Sequence, residues 1–224
     1  ALGRTAIGGA DSPAAGGRLA YADRTVDVLA KLNLLLWVGP ESPKDREWIV
    51  RERKEWLYPV ARMETELVNR PYYLPYVAFR DYGERFDTFG NLVTIVMGIA
   101  DETKRAKILE YMRQVGVDEP FPVRALHPPV MPGEREWRDY YRLRNLNLPN
   151  QYHNGGIWPF LGALYVAALV KAGDSDRARR ELDRLTTLVA LGRESRYEFN
   201  EWFHGVTGRP MGFPEQSWSA AMYL

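Results

Sequence analysis

A couplet of two unlike helices recurs along this chain, and that recurrence limits the fold more than any other feature. From Val26 to Val38 the sequence is nearly continuous in apolar residues, among them Leu29, Leu32, Leu35 and Trp37, as expected of a helix buried on most sides. Gly39-Pro40 ends it, and a charged helix with Trp48, Val50 and Trp56 follows. The couplet returns as a buried-type run from Leu92 to Ala100, then an amphipathic helix capped by Asp101 and stopped by Gly116. It returns again from Ile157 to Gly173. The partner helix opens at Asp174 or Ser175, shows Ala178, Leu182, Leu185 and Val189 on one face, and stops at Gly192. A fourth buried-type helix begins near Ser217.

The spacing is roughly 60 to 70 residues, longer than the roughly 34 to 47 of tetratricopeptide or armadillo arrays. One such pair cannot bury its apolar face alone, so pairs stack into a solenoid or close into a ring. The excess length sits in the loops before the inner helices, which favours the ring. The expectation is an all-α toroid with inner helices near 25–38, 88–100, 157–172 and 217–224. These should run parallel, with their N-terminal loops gathered at one end. About three and a half pairs form only part of a toroid. A chain that opens on Ala1, with a glycine-rich stretch in residues 1–20 expected to be a flexible segment, is read as incomplete at that end. The open flank calls for a missing N-terminal half or a homo-oligomer to cover it.

The 224 residues carry a net charge of +1 and no cysteine. The near balance of charge argues against nucleic acid or an anionic membrane as partner. The lack of cysteine excludes disulfides and thiolate chemistry and fits a reducing, cytoplasmic setting. Apolar runs are broken by charge short of a membrane span. The arginine-rich run from Arg135 to Arg144 is interleaved with Glu136 and Asp139, so it reads as a solvated segment rather than an RNA surface. His127, His153 and His204 lack ligand spacing, so neither metal nor cofactor is expected.

The loops before the inner helices hold the unusual residues. Asp23 precedes the first; Arg85 and Asp87 precede the second. Tyr152-His153-Asn154-Gly155-Gly156-Ile157-Trp158-Pro159 opens the third, and Glu201, Trp202, Gln216 and Trp218 surround the start of the fourth. An Asp before a helix is commonly only a cap. Aromatics beside hydrogen-bonding groups at one end of a ring, however, make a pocket suited to a sugar, with apolar faces to stack and hydroxyls to bind. Asp23, Arg85, Asp87, Tyr152, His153, Asn154, Trp158, Trp202, Gln216 and Trp218 are the expected substrate contacts. Glu201 stands among Tyr197, Phe199, Trp202 and Phe203. It is either a half-buried loop carboxylate paired with Arg209 or Arg196, or a general base for water attacking a glycosidic carbon.

The paired helices, the His153-Asn154-Gly155-Gly156-x-Trp158-Pro159 string and the later Glu201 resemble the (α/α)6-barrel, or six-hairpin, glycoside hydrolases. The likeness is to bacterial glycogen-debranching-type amylo-α-1,6-glucosidases and to alkaline/neutral invertases, and it runs from about Tyr21 to Leu224. Phe86-x-x-x-Gly90-Asn91-Leu92 is similar to a helix start of that family; Glu136-Trp137-Arg138 and Gln216-x-Trp218 follow in its order. The resemblance implies that residues 21–224 are the C-terminal part of an (α/α)6 catalytic domain. It also implies an inverting hydrolase of an α-glucoside, oligosaccharide or small glycoside, with Glu201 at the catalytic carboxylate.

Two departures stand out. Invertases resemble one another in a basic segment before Gln-x-Trp, where this chain has Gly212-Phe213-Pro214-Glu215, so sucrose is disfavoured. The family's acid Asp lies before the segment like Asp23-Arg24, so no residue is assigned as the acid, and the activity of the chain by itself is left open. Two alternatives remain open: a non-catalytic carbohydrate-binding or scaffold array, and an (α/α)6 sugar epimerase, which would use paired histidines.

Overall fold

The computed structural model describes residues 70–76, 82–145 and 147–224. The expected flexible segment, the first couplet and Asp23 lie outside the described residues.

Helix α1 (Thr88–Val96) is capped by Asp87, whose carboxylate accepts the Gly90 N–H at 3.0 Å. It stops short of the expected residue 100. Gly98 takes φ +72°, and the N–H groups of Ile99 and Ala100 both turn back to the Thr94 carbonyl. Helix α2 (Glu102–Val115) has the expected Asp101 cap, a 2.8 Å bond to the Lys104 N–H, and ends at Gly116. Short α3 (Tyr140–Leu143) lies in the solvated arginine-rich run, with no buried residue. The inner helix α4 (Pro159–Lys171) begins two residues later than its apolar run. Pro159 suits the first helical turn and holds the residue before it extended, and Ile157 pairs with Phe203 through two bonds of 2.7 and 2.8 Å. Helix α5 (Ser175–Val189) is capped by Asp174, and α6 spans Ser217–Tyr223.

Helix α4 packs against α1, α5 and α6. The inner helices α1, α4 and α6 thus form one layer, and α2 and α5 belong to the outer layer, as in a partial α/α toroid. Leu92 and Ile95 of α1, Ile108 and Met112 of α2, and Leu161, Tyr165 and Leu169 of α4 share one core. Each fully buried aliphatic side chain contributes roughly 1.5–3 kcal/mol. Ile157, Leu185, Leu188, Val189 and Phe203 form a second cluster, which brings the end of α5 back to the start of α4.

Polar ties set the angles between these pieces. Buried Asn91 accepts the Tyr73 N–H at 2.8 Å and donates to the Tyr73 carbonyl at 3.0 Å, fixing residues 70–76 to α1. Buried Tyr165 donates to Asp118 at 3.1 Å while Arg177 bridges both, so α4, α5 and the segment after α2 are joined.

Two short antiparallel pairs lie among the helices: β1 (Phe86–Asp87) with β2 (Leu126–His127), and β3 (Trp202–Phe203) with β4 (Pro210–Met211). They were not expected from the sequence. They hold the loops at the helix N-termini. The Thr88 N–H donates to the Ala125 carbonyl and the Ala125 N–H to the Gly156 carbonyl, which joins the starts of α1 and α4. Phe89 and Phe160, on the first turns of those helices, sit edge to face 6.0 Å apart.

Candidate functional site

The loop before α4 is built around an unusual tyrosine. Tyr152 has φ +47°, a conformation that costs a non-glycine residue about 1 kcal/mol or more and must be held by its surroundings. Its carbonyl accepts the Gly156 N–H at 3.0 Å and the Trp158 indole N–H at 3.1 Å. Position 156 accepts only glycine at this approach, since a Cβ there would lie 2.6 Å from the Tyr152 oxygen. The Tyr152 ring is thereby placed 4.2 Å from His153, 5.1 Å from Trp158 and 6.0 Å from Trp202, between centroids. His153 and Trp158 stack in parallel at 4.9 Å. Phe160 continues the aromatic line from Trp158 at 5.8 Å.

Glu201 faces this group. Its charge pushes the Tyr152 hydroxyl upward, second to burial. Burial takes the His153 imidazole below its ordinary 6.5, and the same Glu201 charge opposes that. The hydrogen bonds of Glu201 go to the turn after β4 rather than to Arg209 or Arg196. The Glu201 N–H donates to the Phe213 carbonyl at 2.8 Å, and the Phe213 N–H reaches Glu201 Oε2 at 3.4 Å. Glu201 as a residue is half-buried, between buried Trp202 and exposed Phe213. Upstream, Glu198 gathers the N–H groups of Ser195, Arg193 and Glu194, which hold its carboxyl down at about 2 and fix the chain leading into Glu201.

Tyr152, His153, Trp158, Trp202 and Glu201 are therefore brought together. Other expected sugar contacts are given different work. Asn154 is 4% exposed and commits its amide to protein: it accepts the Val130 N–H at 2.6 Å and donates to the Val130 and Asn147 carbonyls, each at 2.9 Å. The Arg85 guanidinium is held by Glu136 and Glu134, each at 2.6 Å, and by the Pro128 and Pro129 carbonyls. In this arrangement it braces the segment after β2. Asp87 is the α1 cap, its carboxyl raised by burial against the N–H groups of Gly90 and Phe89. Gln216 turns its amide to the Pro214 carbonyl at 3.2 Å, and Trp218 stands exposed on the first turn of α6.

Sequence reasoning missed Gly212 and Phe213 as neighbours of Glu201. Their place follows from the β3–β4 register, which pairs Trp202 with Met211, and a two-residue strand leaves no periodic signal. Among the described residues no cluster of three or more His, Asp or Glu side chains could hold a metal ion, and no helix is long and apolar enough to cross a membrane.

Comparison with known proteins gives this geometry a setting. The chain is 32% identical over 148 residues to probable alkaline/neutral invertase D of Arabidopsis thaliana, covering 62% of this chain and 26% of that protein. It is 31% identical over 129 residues to glucosylglycerate hydrolase of Mycolicibacterium hassiacum, covering 57% and 25%. The chain thus spans about a quarter of the length of the curated relatives it matches. Among solved structures, the GH63 mannosylglycerate hydrolase from Thermus thermophilus in complex with glucose aligns at a TM-score of 0.51 and 15% identity. That alignment covers 82% of this chain and 41% of the other, a likeness of fold. Residues 72–224 match the family described as alkaline and neutral invertase, and the chain belongs to that family.

Proposed function

We propose that this chain carries the base-bearing part of an inverting glycoside hydrolase acting on an α-glucoside. Glu201 is the general base and the Tyr152–Trp158 loop one wall of the sugar subsite. The observation that carries the proposal is geometric: Glu201 adjoins Trp202, whose ring lies 6.0 Å from Tyr152 in the cluster that Tyr152 makes with His153 and Trp158, and its charge is felt at Tyr152 and His153. Tyr152 and His153, part-exposed and backed by buried Trp158 and Trp202, offer a ring surface beside a carboxylate, which is what a pyranose and an attacking water require. In a non-catalytic sugar array the same carboxylate would only accept a hydroxyl hydrogen bond.

In the reaction, Glu201 takes a proton from water as the water oxygen bonds to the anomeric carbon. The bond from that carbon to the leaving-group oxygen breaks, and a second carboxyl roughly 6.5–9.5 Å away protonates the departing oxygen. No residue of this chain is assigned that second role. His153, held below 6.5 mainly by burial, is neutral at neutral pH, so it serves as a hydrogen-bonding wall rather than a competing cation. An epimerase would need histidines paired as acid and base.

The substrate we favour is a small α-glucoside, with an α-1,6-linked glucose of the debranching type next. The named relatives that hydrolyse glucosylglycerate and mannosylglycerate support small glycosides. Gly212-Phe213-Pro214-Glu215, with no basic residue, weighs against sucrose. Exposed Trp218 and Met222 on α6 support a covering element, either further helical pairs or a second copy. The cysteine-free sequence supports a reducing, cytoplasmic location.

The test is a time-resolved proton NMR assay of the full-length protein with glucosylglycerate, mannosylglycerate, isomaltose and sucrose. β-Glucose should appear first from the preferred α-glucoside, with glucosylglycerate cleaved faster than sucrose. α-Glucose first would exclude inversion, and sugar binding without cleavage would support the non-catalytic array.

A further inference from the structure

We propose that Gly212 is a positioning residue for the Glu201 carboxylate, because position 212 can hold no Cβ without displacing it. This rests on the assignment of Glu201 as base. The β3–β4 register sets residue 212 beside residue 201. A Cβ on Gly212 would lie 2.6 Å from Glu201 Cβ, 2.7 Å from Oε2 and 2.8 Å from Trp202 Cδ1, and φ is +69°. Two independent demands therefore fall on this residue: a left-handed backbone and an empty side-chain volume.

What yields on substitution follows from the neighbours. Trp202 is 7% exposed and packed against Tyr152. The Glu201 backbone is tied to the Phe213 carbonyl. The free end is the carboxylate, which can swing away from the Phe213 N–H, and the Cβ contact adds a backbone shift. A misplacement of about 1 Å is enough to cost roughly 10²-fold in rate.

Gly208 supplies an internal control. It has φ +65°, and a Cβ there would meet the Phe121 ring at 2.7 and 2.9 Å. The strain is similar, but the clash falls on Phe121, not Glu201. In the full-length protein, Gly212→Ala should lower kcat for the cleaved α-glucoside roughly 10²-fold with KM changed less than about threefold. Gly208→Ala, with a comparable loss of Tm, should keep kcat within about threefold. Gly212→Asn, which tolerates the left-handed backbone better, should show the same kcat loss with a smaller loss of Tm, so the test does not depend on the folding of the Ala variant. Added to Glu201→Gln, Gly212→Ala should cost less than about threefold more, as expected of two changes acting on one group. Equal kcat losses in the two alanine variants, or full additivity with Glu201→Gln, would overturn the proposal. Near-normal turnover of Glu201→Gln alone would instead remove the base assignment on which it rests.

Discussion

Asn154 is the point at which the aromatic wall can be loosened without touching an aromatic. Its side chain satisfies three backbone groups: the Val130 N–H, the Val130 carbonyl and the Asn147 carbonyl. Truncation in Asn154→Ala leaves all three without a partner. Val130 is 7% exposed, so its two groups carry the full cost, while water can reach the half-buried Asn147 side. At about 1–3 kcal/mol for each unmet buried group, the loss is about 2–6 kcal/mol, or roughly 4–24 °C in Tm for a chain of this size. Asn154→Asp retains the acceptor but points a carboxylate at two carbonyls. Such a group has its folded pKa raised, so its penalty is full above that value and shrinks as pH falls and the carboxyl gains a proton to donate. Thermal unfolding followed by circular dichroism at pH 7.5 and pH 5 would measure both. A Tm for Asn154→Ala within about 2 °C of wild type would refute the claim that this amide locks the loop.

Acidification offers a second check. His127, His153 and His204 are all depressed below their ordinary 6.5, in each case chiefly by burial. The unfolded chain binds more protons in that window, so the stability they confer is complete above pH 6.5 and falls as the pH drops toward their folded values. Tm should therefore decrease between pH 7.5 and 5.5, and His153→Phe should flatten part of that slope while keeping the stack on Trp158; a flat wild-type profile would contradict this. Asp87, raised by burial, acts in the opposite sense at lower pH. A third check is Gly162→Ala on α4. Alanine gains roughly 1 kcal/mol in helix propensity, but its Cβ would lie 2.6 Å from the Pro122 carbonyl oxygen and 2.8 Å from Leu185 Cδ1. Overpacking at about 1–3 kcal/mol outweighs that gain, so Tm should fall, and a rise would show that the segment yields.

The helices were legible because their signals are local. Asp101, Asp174 and Gly116 mark ends three or four residues from the bonds they make, and the apolar runs of α1 and α4 differ visibly from the striped α2 and α5. The aromatic box was legible in part, since Tyr152, His153 and Trp158 are close in sequence. Which polar side chains serve the fold was not. Asn154 looks like a sugar ligand until Val130, 24 residues away, is found to occupy it. Arg85 likewise meets its carboxylates 49 and 51 residues on. The end of α1 is hidden in the sequence because Gly98 sits inside an unbroken apolar run, whereas its left-handed backbone closes the helix.

The role of Glu201 is tested most directly by Glu201→Gln in the full-length protein. The amide keeps the shape and the contact with the Phe213 N–H but cannot take a proton from water. With glucosylglycerate and isomaltose as substrates, kcat should fall at least the roughly 10²–10⁴-fold typical of a lost general base, while KM and Tm change little. Turnover within about threefold of wild type would contradict the assignment and pass the role to another carboxylate, Asp87 first.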